Sequence, residues 1–342
     1  MRLLAKFSLL ILLLQLSTLI AGKQQFAYLG DFKLENGQVI KECKIGYRTF
    51  GKLNAKRDNV VLFPSWFGGA SEHLGKLIGP QGVIDSSAFY IIAVDALGNG
   101  ISSSPSNSRL QPGEKFPTFS IADMVNSQYL LLTRHLQINH LYAIIGGSMG
   151  GMQTFEWMVR YPDFMEKAIP YVGTPQLSSY DYLFWQQLLN ILTIGWRYGV
   201  PADTIRGQLS SLTTLNIRTP GWVVENWTMP QVKAQFKKFY EGEPQIFTNQ
   251  NFAAQTRAML LHDVSKAYGG SLQKAARRVK ASALIIVVQT DHMVNPIKAI
   301  QFVDLIHAQK VVLNDSCGHL GIGCNLKKVA QIIKKFLENQ HE

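Results

Sequence analysis

The chain has 342 residues, of which 46% are hydrophobic, 11% aromatic and 17% charged. That balance excludes a disordered or collagen-like polypeptide and supplies apolar side chain for a large core. The formal charge of +11 favours solubility and loose attraction to anionic surfaces. The densest basic run, Lys274 to Lys280 with Arg277 and Arg278, reads as a solvated helix face, so no nucleic-acid partner is expected.

Residues 1–22 carry Arg2 and Lys6, an apolar stretch from Phe7 to Leu14, then Ser17, Thr18 and the small residues Ala21 and Gly22, with no acid. This is the pattern of a secretory signal peptide. Its apolar core is shorter than the roughly 20 residues a bilayer span needs, so cleavage near Ala21 or Gly22 is expected to leave no stable membrane span. The expected location is secreted or periplasmic. Cys43, Cys317 and Cys324 are too few for a disulfide scaffold. Cys317 and Cys324 either pair in an oxidising compartment or remain buried thiols.

Beyond the leader, short runs rich in β-branched or aromatic residues predict strands at Val60 to Phe63, Phe89 to Val94, Leu141 to Ile145, Ala168 to Val172, Leu284 to Val288 and Val311 to Leu313. Helical periodicity marks Ile121 to Leu136, Met149 to Tyr161, Pro296 to His307 and Leu326 to Leu337. Strands alternating with helices predict an α/β fold, a mostly parallel central sheet covered by helices on both faces. Between two core strands the pattern changes to helices rich in Trp, Tyr and Leu. The organisation is therefore read as core 23–175, an inserted helical cap 176–279 and core 280–342.

Directly after the strand Leu141 to Ile145 comes Gly146-Gly147-Ser148-Met149-Gly150-Gly151, followed by a helical pattern. G-x-S-x-G between strand and helix is a nucleophile elbow: a sharp turn exposes the serine hydroxyl, and side chains are excluded where strand and helix converge. Serine needs a base, and the base an orienting carboxylate, which in this fold follow in the order Ser, Asp or Glu, His. Asp291 stands just past the strand Leu284 to Val288, and His319 lies in the loop beyond Val311 to Leu313. His292 is the rival base, Asp304 and Asp315 are substitutes for the acid, and an N-cap is the structural alternative for Asp291. The backbone N–H groups of Met149 and Trp66 are the expected oxyanion donors. The second lies in Pro64-Ser65-Trp66-Phe67-Gly68-Gly69, which otherwise reads as an ordinary turn. Trp185, Trp196, Tyr180, Tyr182 and Trp222 either line an acyl pocket or pack the cap.

Leu77-Ile78-Gly79-Pro80, AFYIIAVDALG from Ala88 to Gly98, Phe116-Pro117, Ile121 to Val125 and GGSMGGMQTFEWMVRYPD from Gly146 to Asp163 resemble homoserine O-acetyltransferases and their α/β-hydrolase relatives. So do Asn251-Phe252, Thr256 to Met259 and His262-Asp263-Val264. The resemblance runs from about Gly46 to the C-terminus. It implies an α/β-hydrolase fold, a Ser148, Asp291, His319 triad and ping-pong acyl transfer through Ser148. Two positions depart from it. The segment Asn99 to Pro105 replaces a loop rich in glycine and cysteine. Leu320 stands where the acetyltransferases carry an aspartate suited to an ammonium group, which leucine cannot pair. No arginine among Arg197, Arg206 and Arg218 is singled out as the carboxylate partner.

The expected function is a secreted serine hydrolase of ester, amide or thioester substrates, since acetyl-CoA is a cytoplasmic donor and water is available everywhere. The alternatives are an acyltransferase of the homoserine O-acetyltransferase type and an inactive binding module on the same fold. The chemistry calls for a small-molecule acyl substrate and no cofactor. No metal is expected either: Cys317, His319 and Cys324 lack the paired spacing of a zinc site. A homodimer is expected only by analogy with the family.

Overall fold

A computed structural model describes residues 22–241 and 246–338; the leader expected over 1–22 lies outside it but for its last residue. The strands are β1 (Gln25–Lys33), β2 (Val39–Phe50), β3 (Val60–Pro64), β4 (Tyr90–Val94), β5 (Leu141–Gly147), β6 (Met165–Tyr171), β7 (Ser282–Val288) and β8 (Gln309–Leu313). They form one sheet in the order β1-β2-β4-β3-β5-β6-β7-β8. β1 and β2 run antiparallel, β2 runs antiparallel to β4, and the remaining pairs are parallel.

The helices are α1 (Ser71–Gly75), α2 (Ile121–Leu130), α3 (Met149–Arg160), α4 (Ser179–Arg197), α5 (Ala202–Ile217), α6 (Pro220–Asn226), α7 (Met229–Glu241), α8 (Asn249–Leu260), α9 (Leu272–Ala276), α10 (Ile297–Ile306), α11 (Gly321–Cys324) and α12 (Leu326–Glu338). The predicted helix Ile121 to Leu136 loosens after Leu130 into a π turn over Leu131–His135. β1 and β2 carry no continuous apolar run. Only Ala27 and Phe32 of β1 are buried, the exposed Lys41 and Glu42 interrupt β2, and the pairing of the two strands shifts register near Gly30.

Buried strands separate two cores because successive side chains leave opposite faces. In β3, Val60 and Leu62 pack with Phe155, Trp157 and Phe302, whereas Val61 and Phe63 pack on the other face with Leu74, Ile333 and Phe336. Every residue of β3 is buried, as both faces of a parallel sheet require. The buried Lys167 of β6 donates to the terminal carbonyls of α12, Phe336 at 3.0 Å and Leu337 at 2.9 Å. A cation at a helix C-terminus is favourable there and satisfies carbonyls that have no helical partner.

Between β6 and β7 the described segment is helical, from α4 to α9. The stretch from α4 to α8 is pinned together at its two ends by the bridge Gln176 to Asp263, by Gln176 Nε2 donating to Asp263 Oδ2 at 2.9 Å, and by His262 Nε2 bonded to the Thr174 carbonyl at 2.9 Å. Burial lowers the His262 pKa to about 4, which keeps the ring neutral.

Candidate active site

β5 ends in Gly146-Gly147 and α3 begins at Met149, so Ser148 alone makes the turn, at φ 56° and ψ −124°. A serine held there costs on the order of 1–3 kcal/mol of backbone strain. The surroundings enforce it. A Cβ on Gly146 would stand 2.2 Å from the Gly150 carbonyl oxygen, and one on Gly150 would stand 2.5 Å from that of Pro64. Strand, helix and the exit of β3 therefore converge only because these positions lack side chains.

His319 reaches this turn from the loop beyond β8. Its Nε2 lies 2.9 Å from Ser148 Oγ, and its Nδ1 lies 2.7 Å from Asp291 Oδ2. A carboxylate only accepts, so Nδ1 carries the proton and Nε2 is free to accept from the serine hydroxyl. Asp291, at the end of β7, has its other oxygen bonded by the backbone N–H groups of Met293 and Val294, both at 2.9 Å. Asp291 and His319 are 3% and 6% exposed, so the array is shielded from solvent. His292 is exposed and faces the Tyr180 ring, Asp304 is exposed, and Asp315 is engaged by the Cys317 amide at 2.7 Å.

Among the described residues, the amides of Met149 and Trp66 donate to no protein acceptor. Met149 opens α3, whose N-terminal dipole favours negative charge. Trp66 follows β3 and lines the cavity that holds Ser148 and His319. This cavity, of about 790 Å³, is walled by Phe67, Trp185, Leu209 and Phe252. Of the five aromatic candidates, only Trp185 reaches it. Arg206 and Arg218 also line it, as does Leu320, while Arg197 is exposed. Arg218 lies over the Trp222 ring at 4.0 Å, and desolvation lowers its pKa.

Cys317 and Cys324 are joined in a disulfide that brackets His319, and Cys43 is a buried free thiol. Thr219 ties the same loop to the segment before α6, its hydroxyl donating to the Ser316 carbonyl at 2.5 Å. Sequence reasoning did not single out Asp181. This residue closes a capping box with Ser178 at the start of α4 and accepts from the Asn295 amide at 2.7 Å, joining the helical insertion to the loop after Asp291. Burial raises its pKa, backbone hydrogen bonds oppose that, and the nearby Asp291 charge adds to the rise. The capping-box spacing Ser178 to Asp181 was a readable signal.

A family model for the alpha/beta hydrolase fold matches residues 58–323. An ethyl acetate hydrolase of Pseudomonas veronii is 31% identical over 329 residues, covering 88% of this chain and 90% of that protein. A homoserine O-acetyltransferase of Methanosalsum zhilinae is 27% identical, covering 90% and 71%. The crystal structure of the acetyl esterase MekB superimposes with a TM-score of 0.85 at 28% identity, over 93% of this chain and 98% of that one.

Proposed function

The chain belongs to the alpha/beta hydrolase fold family, and from that premise we propose that it is a serine-dependent hydrolase of short carboxylic esters working outside the cytoplasm. The observation that carries the reading is the hydrogen-bonded run from Ser148 through His319 to Asp291 at the wall of an apolar cavity. Ser148 Oγ gives its proton to His319 Nε2 and attacks the acyl carbon. The Met149 and Trp66 amides receive the oxyanion, Asp291 stabilises the imidazolium, and the proton passes to the departing alcohol. Water then enters, loses a proton to His319 and attacks the acyl-serine. The acid leaves and the serine hydroxyl is restored.

Water rather than homoserine is the acceptor in this reading because Leu320 lines the cavity beside His319, where an ammonium group would find no counter-charge. The similarity to an ethyl acetate hydrolase supports a short acyl group. The basic, acid-free leader of residues 1–22 and the Cys317–Cys324 disulfide support an oxidising compartment.

The test is a series of p-nitrophenyl esters from acetyl to dodecanoyl, assayed with and without homoserine, with acetyl-CoA as a competing donor. Release of acid that is fastest for the short esters and indifferent to homoserine is expected. Efficient acetyl transfer from acetyl-CoA to homoserine with little hydrolysis overturns the reading in favour of an acyltransferase. A folded protein that turns over none of these and takes no fluorophosphonate label is a binding module.

A further inference from the structure

Gln153 lies one turn into α3 and is fully buried. Its amide nitrogen donates to the carbonyl oxygens of Ser65 at 3.0 Å and Met149 at 3.1 Å. Its amide oxygen accepts from Gln128 Nε2 at 2.6 Å, and Gln128 Oε1 accepts from the Trp157 indole N–H at 2.8 Å. An indole nitrogen only donates, so Trp157 fixes which way round both glutamine amides lie. The oxygen of Gln128 turns to Trp157, its nitrogen turns to Gln153, and the nitrogen of Gln153 is left for Ser65.

The Ser65 carbonyl and the Trp66 N–H are the two ends of one planar peptide group. Whatever grips the oxygen sets the direction of the hydrogen. Ser65 is also held by the end of β4 and the loop after it, its N–H donating to the Val94 carbonyl at 2.9 Å and its hydroxyl accepting from the Ala96 amide at 3.0 Å. Trp157, Gln128, Gln153 and the Ser65–Trp66 peptide thus form a buried file of aligned dipoles. Each accepted hydrogen bond strengthens the next donor, and the last donor is the Trp66 amide.

We propose that Gln153, oriented by Gln128 and Trp157, is a positioning residue that aims and polarises the Trp66 amide toward the oxyanion. Its second bond, to the Met149 carbonyl, holds the first turn of α3 in the same frame. The proposal rests on the acyl-transfer reading above, in which that amide receives charge.

Gln153→Met keeps the length of the side chain and removes the donor. It is expected to lower kcat for p-nitrophenyl acetate about 10- to 100-fold with little change in KM. Affinity for a trifluoromethyl ketone, which forms a tetrahedral adduct on the serine, should fall by the same factor as kcat/KM. Gln153→Glu should be rescued by acid, because a protonated carboxyl donates to Ser65 and an ionised one cannot, so its activity relative to wild type should fall as pH rises. Trp157→Phe should show a smaller loss of the same kind. Wild-type kcat in Gln153→Met, or a loss that leaves ketone affinity unchanged, overturns the proposal. If Gln153→Met does not fold, a pH-independent activity ratio for Gln153→Glu overturns it. A wild-type protein that neither hydrolyses acetate esters nor takes a fluorophosphonate label fails earlier, at the serine mechanism itself.

Discussion

Asp291 divides its carboxylate between two kinds of donor: one oxygen takes the His319 Nδ1 proton at 2.7 Å and the other takes two backbone amides at 2.9 Å. Both sides demand an acceptor, and an asparagine offers one on only one side. Asp291→Asn should therefore turn its NH₂ toward His319, drive the proton to Nε2 and leave the ring unable to accept from Ser148. The expected cost is about 10⁴ in kcat, with unfolding close to wild type. Near-normal turnover of a model ester by this variant would remove Asp291 from the mechanism.

The close approach at Gly150 gives a second prediction. An alanine there would put its Cβ 2.5 Å from the Pro64 carbonyl oxygen, a backbone atom that cannot swing aside. Gly150→Ala should separate α3 from the exit of β3, where the backbone amides of Met149 and Trp66 lie. A destabilisation of roughly 1–3 kcal/mol is expected, together with a loss of kcat larger than that of Gly151→Ala, whose Cβ would have 3.0 Å to its nearest neighbour. Equal effects of the two substitutions would contradict the steric argument.

The Cys317–Cys324 bond closes a short loop, with a sequence separation of 7. Chain entropy assigns such a closure about 2.5 kcal/mol. The double variant Cys317→Ser/Cys324→Ser should unfold at lower urea by that margin. Because His319 sits inside the loop, it should also lose activity well below its midpoint, whereas the wild type keeps activity until it unfolds. Coincident loss of activity and structure in the variant would show that the bond stabilises without positioning the histidine.

The fourth prediction concerns acid. His262 is lowered from its ordinary 6.5 to about 4 by desolvation, with the Thr174 carbonyl and the Asp263 charge opposing. The unfolded chain takes up the proton first as pH falls. Stability is therefore full above about pH 6.5, drops between 6.5 and 4, and levels off below, by roughly 3 kcal/mol. His262→Gln should lose that part of the acid slope. Urea midpoints measured at half-unit intervals would show it, and parallel curves for the two proteins would refute the assignment.

The elbow was legible because its physics is local: a strand, a turn that tolerates only small residues and a helix occupy adjacent positions in the chain. Asp291 and His319 could be named because each follows an apolar strand in the required order, and the structure brings both to Ser148. β1 and β2 were missed since polar residues such as Lys41 and Glu42 interrupt their apolar positions and a register shift breaks their pairing, leaving no apolar run. Gln128 and Gln153 were invisible for another reason. Gln128 occupies an unremarked polar position in a helix and Gln153 passed as one more residue of the family stretch after the elbow, and only the packing of α2 on α3 turns them toward each other. His262 read as part of a family segment, while its bond to Thr174 spans 88 positions.

The paired ends at Thr174 to Gln176 and His262 to Asp263 mean that everything between them leaves and rejoins the scaffold at a single seam. A graft across that seam, exchanging the helices from α4 to α8, would replace the wall of the cavity that carries Trp185, Leu209 and Phe252 while the turn at Ser148 stayed untouched. Divergent selectivity on this architecture could thus evolve by recombination at one junction, with Asp181 as the carboxylate through which the segment grips the loop after Asp291.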